Sequence, residues 1–366
     1  MKKRGLAGKS KPQPSNTMSK KSRKPDQLQA SRAADRRRAT MNEVALAAGV
    51  SQTTVSLVLN DVSGARFSAS TRHRVFDAAE RLNYQTTRRS APQNSSQGTI
   101  AFVVDEMSTD PWTAVAMDGI CESAWAHGIS VWCAVTRGNI EIEKSILQQA
   151  ISNRVIGLIY GTINTRRVEP PHLSQTLPTV LLNCYVSNGS LPAIIPAEVI
   201  GGQIATKRLI AAGHRRIGYI NGETGMDAAR DRLRGYKQAL TGADIEFDGA
   251  LVRNGNWEPS TGYEFTRDLM KLPIPPTAIF CANDLMALGC YDALRELGLS
   301  IPGDVAVIGY DSRDIAQYVH PPLTTVLLPH FEMGVEAAEC LIDLINGSPT
   351  PNRIKVEGQL INRNSV

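Results

Sequence analysis

Residues 40–60, TMNEVALAAGVSQTTVSLVLN, constrain this chain more than any other stretch. Thr40 followed three residues later by Glu43 is a capping box, which starts a helix by satisfying two orphan donors reciprocally. Val44, Ala45 and Ala48 then fall on one helical face. Gly49 comes next, where a residue at positive φ ends a helix without steric cost. Val50 plugs the turn, Ser51 stands at the cap of a second helix, and Val55, Val58 and Leu59 give that helix an inward stripe. Two short helices about a Gly-containing turn form a helix-turn-helix, whose second helix enters the DNA major groove. The competing reading is an αα-hairpin buried in a larger domain. Gln52, Thr53 and Thr54 favour the first reading: they are short and polar where base edges would be read.

Charge is distributed to match. The net +5 conceals thirteen Lys and Arg against Asp26 and Asp35 in residues 1–40, a balance of +11. Residues 41–90 add +2, so residues 91–366 carry −8. A basic front on a mildly acidic body predicts a polyanion-binding head joined to a soluble module. Residues 1–38, rich in Lys, Arg, Ser and Pro, cannot bury enough surface to offset ordering entropy and are expected to form a disordered basic arm. An upstream extension from a misassigned start is the other reading, since Met18 could also initiate. With 366 residues the chain suits two or three domains. It has no apolar run of eighteen residues and no apolar leader, so no membrane partner and a cytoplasmic location are expected. The six cysteines lack CxxC spacing and the six histidines form no ligand-spaced cluster, so free thiols and no metal are expected. P-loop, GxSxG and a convincing GxGxxG after the first strand are all missing, which argues against an enzyme and against a cofactor.

A polar loop after Asn60 leads to Phe67 and a third helix, with Ser68 as its cap and Val75, Ala78, Ala79 and Leu82 as its apolar stripe. Residues 39–84 thus make a three-helix headpiece. EVALAAGVSQTTVSLVLN at 43–60 and TRHRVFDAAERLNY at 71–84 resemble the headpiece signature of the lactose-repressor (LacI/GalR) family of bacterial transcription regulators. In that family the segment matching residues 85–97 is a hinge that folds on DNA and pushes a leucine into the minor groove. This chain departs from the pattern: Gln93 stands at the wedge position, and Pro92 interrupts a helix there.

From Gly98 the texture changes to short apolar strands alternating with helices. Strands are expected over 99–104, 129–135, 155–160, 178–183, 215–220, 278–281 and 304–309. Helices are expected between them, for example over 114–126, 199–212, 232–240, 285–297 and 332–345. Such alternation builds parallel sheets covered on both faces, and two series of it imply two lobes with a cleft at the strands' carboxyl ends. The resemblance continues in GHRRI at 213–217, RLRGY at 232–236, NDLMALG at 283–289, IPGDV at 301–305 and PPLTTV at 321–326. It implies an α/β chain: the three-helix helix-turn-helix headpiece plus a two-lobed, periplasmic-binding-protein-like core. The first lobe is expected over about 98–194 and 327–349, the second over about 195–326 and 350–366. The crossings fall near 191–196, 325–328 and 349–353.

The same resemblance assigns candidate site residues. Gln52, Thr53 and Leu57 lie at the base-reading positions; Gln can pair with adenine, Thr offers a hydroxyl and a methyl, and Leu can meet a thymine methyl. Thr40, Ser51, Thr54, Ser56, Asn60, Ser68 and Thr71 match phosphate-contacting positions; the competing reading of Ser51 and Ser68 is capping alone, and one hydroxyl can do both. For an effector it points to Arg230, placed just ahead of a helix, and to Trp257, Asn283 and Asp311 from the second lobe. Asp105 and the 110–112 loop with Trp112 are the first-lobe candidates. Arg232 can instead pair with an acidic neighbour inside its lobe, and Asp284 reads as a helix cap. The implied function is a ligand-responsive repressor. Its homodimer would bind a pseudo-palindromic operator in double-stranded DNA, with a sugar or sugar derivative as effector. The alternative is a sugar-binding module with a vestigial headpiece.

Overall fold

The computed structural model describes residues 40–59, 69–82, 84, 98–108 and 111–366. The arm expected over 1–38, the hinge expected over 85–97, and Asn60, Ser68 and Asp110 lie outside the described residues; of Thr53 and Leu57 only the backbone is described.

The first compact unit holds α1 (Met41–Ala48), α2 (Gln52–Leu59) and α3 (Ala69–Arg81). Its entry is the capping box: Glu43 N donates to Thr40 Oγ1 at 3.2 Å, and Thr40 N donates to Glu43 Oε2 at 2.7 Å. Gly49 ends α1 at φ 63°. Thr54 N then donates to Ser51 Oγ at 3.1 Å, which caps α2. Val44, Ala45, Ala48, Val55, Val58, Val75 and Ala78 form the buried core of the unit. Leu82, expected on the apolar stripe, lies past the end of α3 and is 38% exposed.

The second unit contains two six-stranded sheets. In chain order its elements begin β1 (Gly98–Val104), α4 (Trp112–Ala126), β2 (Ile129–Val135), α5 (Ile140–Ser152), β3 (Gly157–Arg167), β4 (Thr179–Tyr185) and β5 (Ala193–Pro196). The chain then continues through α6 (Glu198–Ala211), β6 (Ile217–Asn221), α7 (Asp227–Thr241), β7 (Val252–Asn254), α8 (Pro259–Met270), β8 (Ala278–Cys281), α9 (Asp284–Glu296), β9 (Ala306–Asp311) and β10 (Thr324–Leu327). It ends with α10 (His330–Ile345), β11 (Arg353–Val356) and β12 (Leu360–Ile361). The sheet orders are β11-β5-β4-β3-β1-β2 and β12-β10-β9-β8-β6-β7. Among the described residues all pairings are parallel except β10 with β12.

Strand β1 explains the apolar runs. Ile100, Phe102 and Val104 pack against α4 and α10, while Ala101 and Val103 pack against α5 on the other face. A strand covered on both sides needs apolar residues at every position, not at alternate ones.

Among the described residues three helix pairs cross backbone to backbone. A Cβ at Gly119 of α4 would lie 2.1 Å from the Phe331 carbonyl oxygen, and one at Gly334 of α10 2.1 Å from that of Ala116. Gly202 and Gly235 do the same for α6 and α7, at 2.4 Å from Arg232 O and 2.2 Å from Val199 O. Gly262 and Gly289 do it for α8 and α9, at 2.0 Å from Met286 O and 1.8 Å from Pro259 O.

One boundary differs from expectation. β11 pairs in register with β5, from Arg353 with Ala193 to Val356 with Pro196, so residues 353–356 belong with the first sheet. The last crossing therefore falls between Val356 and Leu360, not at 349–353. Arg353 and Lys355 are exposed on this edge strand and alternate with the half-buried Ile354 and Val356. Short length and charged side chains of this kind protect a sheet edge from pairing with another chain.

Candidate functional site

Between the lobes, at the carboxyl ends of the strands of both sheets, lies a cavity of about 240 Å³. Trp112 at the start of α4, Asn164 and Thr165 on β3 and Asn183 on β4 reach it from the first lobe. Arg232, Trp257, Asn283, Asp311 and Arg313 reach it from the second, and Glu198, Leu328 and His330 flank the crossings. Open α/β sheets bind ligands at this end, where loops leave side chains unpaired by sheet packing.

Arg232 organises the floor. Its side chain is 4% exposed, and its Nε and Nη2 donate to the two Glu198 carboxylate oxygens at 2.8 and 2.9 Å. Nη1 donates to Ala282 O at 2.5 Å and stands 3.4 Å from Asp311 Oδ1. The guanidinium lies 3.7 Å from the Tyr310 ring centroid and 5.5 Å from that of Trp257. Burial works against its charge, but the charge and hydrogen bonds of Glu198 outweigh that and hold it protonated. Asp311 is a different case. Burial pushes its carboxyl up to about 8, although Arg232 and Arg313 pull the other way. Near neutral pH it can therefore donate as well as accept a hydrogen bond. His330 stacks on Trp112 with centroids 5.4 Å apart, and burial, reinforced by Arg232, pushes it down to about 3, so it is neutral.

Trp112, Trp257, Asn283 and Asp311, all expected from sequence, come together here. The Asn283 amide is partly engaged already: it caps α9 through Met286 N at 2.8 Å and donates to Trp257 O at 2.9 Å. Asn283, not Asp284, is thus the cap; Asp284 is the first helical residue, fully buried, accepting from Thr325 Oγ1 and Arg313 N at 2.7 Å each.

Arg230 and Asp105 are not in the cavity. Helix α7 begins at Asp227, five residues earlier than expected, so Arg230 sits on the helix and not before it. Two helical residues turn the chain by about 200°, which puts Arg230 and Arg232 on opposite faces. Arg230 is mostly exposed and pairs with Asp227 and Asp231, while Arg232 points inwards. Asp105 is buried at the end of β1 and is held by Ile163 N and Arg166, each at 2.8 Å. Arg232 pairs with an acidic neighbour, Glu198, as the sequence allowed, but its place in the cavity wall was not anticipated, and Glu198, Asn164, Thr165 and Asn183 were not singled out in sequence. Correct phasing of the RLRGY helix would have selected Arg232; nothing in the sequence marks the rest.

On the headpiece, Val55, Val58 and Leu59 are buried and set the inward side of α2, and positions 53 and 57 fall on the opposite helix face. Gln52, Thr54 and Ser56 flank it half-buried. The Thr40 and Ser51 hydroxyls serve as caps, and Thr71 lies in the first turn of α3.

Comparison with known proteins adds the decisive observation. Residues 40–87 match the model of bacterial regulatory proteins, lacI family, and residues 206–366 match that of a periplasmic binding protein-like domain. The HTH-type transcriptional repressor PurR of Haemophilus influenzae is 34% identical over 337 residues, covering 90% of this chain and 98% of that protein. The chain belongs to the LacI family. Among solved structures, the transcriptional regulator CelR–cellobiose complex is 32% identical, with a TM-score of 0.61, covering 90% of this chain and 100% of that one. The lac repressor dimer bound to operator and the anti-inducer ONPF is 28% identical, also with a TM-score of 0.61, covering 90% and 99%. As a LacI-family member the chain is a DNA-binding transcriptional repressor with a helix-turn-helix headpiece and a two-lobed core. The LacI-family relatives are repressors, not enzymes. No helix among the described residues is long and apolar enough to cross a membrane.

Proposed function

We propose that this repressor binds a pseudo-palindromic operator as a homodimer in the cytoplasm, and that an uncharged sugar-class ligand between its lobes sets operator affinity. The observation that carries the ligand class is the charge pairing of the cavity. Arg232, the cation on the cavity floor, is already engaged: it is forked onto Glu198 and donates to Ala282 O. A phosphate or carboxylate ligand would have to draw Arg232 away from Glu198, at a cost greater than a surface ion pair returns. A polyol needs no free charge. Its hydroxyls can donate to and accept from Asp311, Asn164 and Thr165, and its apolar face can lie on indole rings such as Trp112 and Trp257. The likeness to a regulator solved with cellobiose supports the same class. A purine base or nucleoside is the second reading, favoured by the flat faces of the two indoles.

In this reading Trp112, Trp257, Asn283 and Asp311 bind the effector together with Arg232, and Asp105 and Arg230 do not. Gln52, Thr53 and Leu57 read bases; Thr40, Ser51, Thr54, Ser56, Asn60, Ser68 and Thr71 meet phosphates. Residues 1–38 add sequence-independent phosphate attraction, and residues 85–97 join headpiece to core. Nuclease footprinting with purified protein tests DNA recognition, with a protected, two-fold related site expected. Isothermal calorimetry with cellobiose, neutral monosaccharides, a sugar phosphate, adenine and hypoxanthine tests the ligand. Tight binding of the sugar phosphate, with no response to neutral sugars, would overturn the charge argument.

A further inference from the structure

Strand β3 pairs with β4 in register up to Gly161 opposite Leu182, and resumes at Arg166 opposite Cys184. Between these points β3 advances five residues while β4 advances two, so three extra residues bulge outwards. The bulge carries Ile163, Asn164 and Thr165 to the wall of the interlobe cavity. An extruded segment has lost its ladder partners, and something else must satisfy its backbone.

Two buried side chains at the strand ends do so. Asp105, at the end of β1, accepts from Ile163 N at 2.8 Å through Oδ1 and takes Arg166 Nη2 at 2.8 Å through Oδ2. Asn183 on β4 holds the left-handed conformation, φ 57°, which turns its amide under the bulge. Its Nδ2 donates to Thr162 O and Ile163 O, both at 3.0 Å, and its Oδ1 accepts from Thr165 Oγ1 at 2.5 Å. Thr162 Oγ1 closes the knot on Asn164 O at 2.8 Å and Asn183 O at 2.9 Å. Both amide hydrogens of Asn183 are therefore spent inside the protein.

From this geometry we infer that Asp105 and Asn183 are positioning residues, which hold the 162–165 bulge so that Asn164 and Thr165 meet the effector. The inference rests on the proposed effector site for its functional meaning, but the clamp itself can be measured without any ligand. The Ile163 amide reports it by hydrogen exchange in the full-length protein. Asp105→Ala is expected to speed exchange at Ile163 by about tenfold or more, whereas Asp105→Asn, which keeps an accepting oxygen, stays within about threefold of native. Asn183→Asp is isosteric but cannot donate to the two carbonyls, and is expected to speed exchange like Asp105→Ala. Should Asp105→Ala fail to fold, Asn183→Asp against Asp105→Asn makes the same comparison. Cellobiose affinity is expected to follow the same order, weakened about tenfold or more by Asp105→Ala and rescued by Asp105→Asn. Unchanged Ile163 exchange in Asp105→Ala and in Asn183→Asp overturns the clamp. Equal loss of cellobiose affinity in Asp105→Asn and Asp105→Ala, with exchange intact, overturns it too, by making Asp105 a direct contact. If the native protein binds no sugar, the functional reading fails while the exchange data still decide the clamp.

Discussion

Asp311 joins ligand chemistry to fold stability. Its ordinary value is 3.8 and burial raises it to about 8, so the folded protein keeps a proton that the unfolded chain has released. The stability this contributes is complete below pH 3.8 and is lost as the pH climbs to about 8. Asp284, raised by burial to about 6, finishes its own loss earlier. His330, lowered from 6.5 to about 3, acts in the opposite sense, and only below 6.5. Between about pH 6.5 and 8 Asp311 is the member of this trio still titrating. Asp311→Asn is expected to flatten the decline of core stability there, by at most about 1.4 kcal/mol per pH unit. Urea unfolding at three pH values across that window checks it, and parallel slopes for the two proteins would refute it. On the headpiece, Gln52→Ala and Thr53→Ala are each expected to weaken operator binding by about 1–3 kcal/mol while sparing random DNA. Competition gel shifts with both DNAs separate the two, and equal losses would count against base reading. At this scale the sequence anticipated which side chains line the cavity where residue type and position coincide, as at Trp112, Trp257 and Asp311. It did not anticipate the outward placement of Arg230, because a helix face is fixed only once the first helical residue is known.

Elements were legible where their signals are local. The Thr40–Glu43 box and Gly49 define α1 at both ends before any tertiary contact is known, and the covered strands announce themselves as unbroken apolar runs. Thr40→Ala is expected to cost about 1 kcal/mol of headpiece stability, measured as the midpoint shift on thermal unfolding of the native and variant chains. β11 and the β3 bulge were not legible, since each depends on a distant strand: one on pairing with β5, the other on Asp105 and Asn183. A further contact of this sort spans the lobes. Tyr185 at the end of β4 donates to Asp227 Oδ2 at the start of α7 at 2.7 Å, with Arg353 over the Tyr185 ring at 4.6 Å. A charge-assisted bond of this kind contributes about 1.5–3 kcal/mol, less where water competes. Tyr185→Phe is expected to leave both lobes folded and to open the cleft, seen as a larger radius of gyration by small-angle scattering without ligand. An unchanged radius would mean that the closed arrangement is held elsewhere.

For the whole molecule, charge and architecture were both readable, because patterning over hundreds of residues averages out local ambiguity. The +11 of residues 1–40 against the −8 of residues 91–366 predicts an electrostatic contribution to DNA binding that the headpiece alone lacks. Deleting residues 1–37 is expected to lower affinity for every DNA sequence and to flatten the slope of log affinity against log salt. The change should be about 0.9 for each phosphate the arm neutralises. An identical slope in the truncated protein would show that the arm stays off the DNA. The three glycine-to-backbone crossings bear on something else, the freedom of this sequence to drift. Ligand preference can change through the loops at the strand ends, where one side chain replaces another without moving a helix. At Gly119, Gly202, Gly235, Gly262, Gly289 and Gly334 even a methyl group meets a carbonyl oxygen or backbone amide of a neighbouring helix. In a saturation library scored by protein abundance, these six positions should reject alanine as firmly as tryptophan, whatever effector is supplied. New specificities can then be written around a frame whose helix pairs are not open to revision.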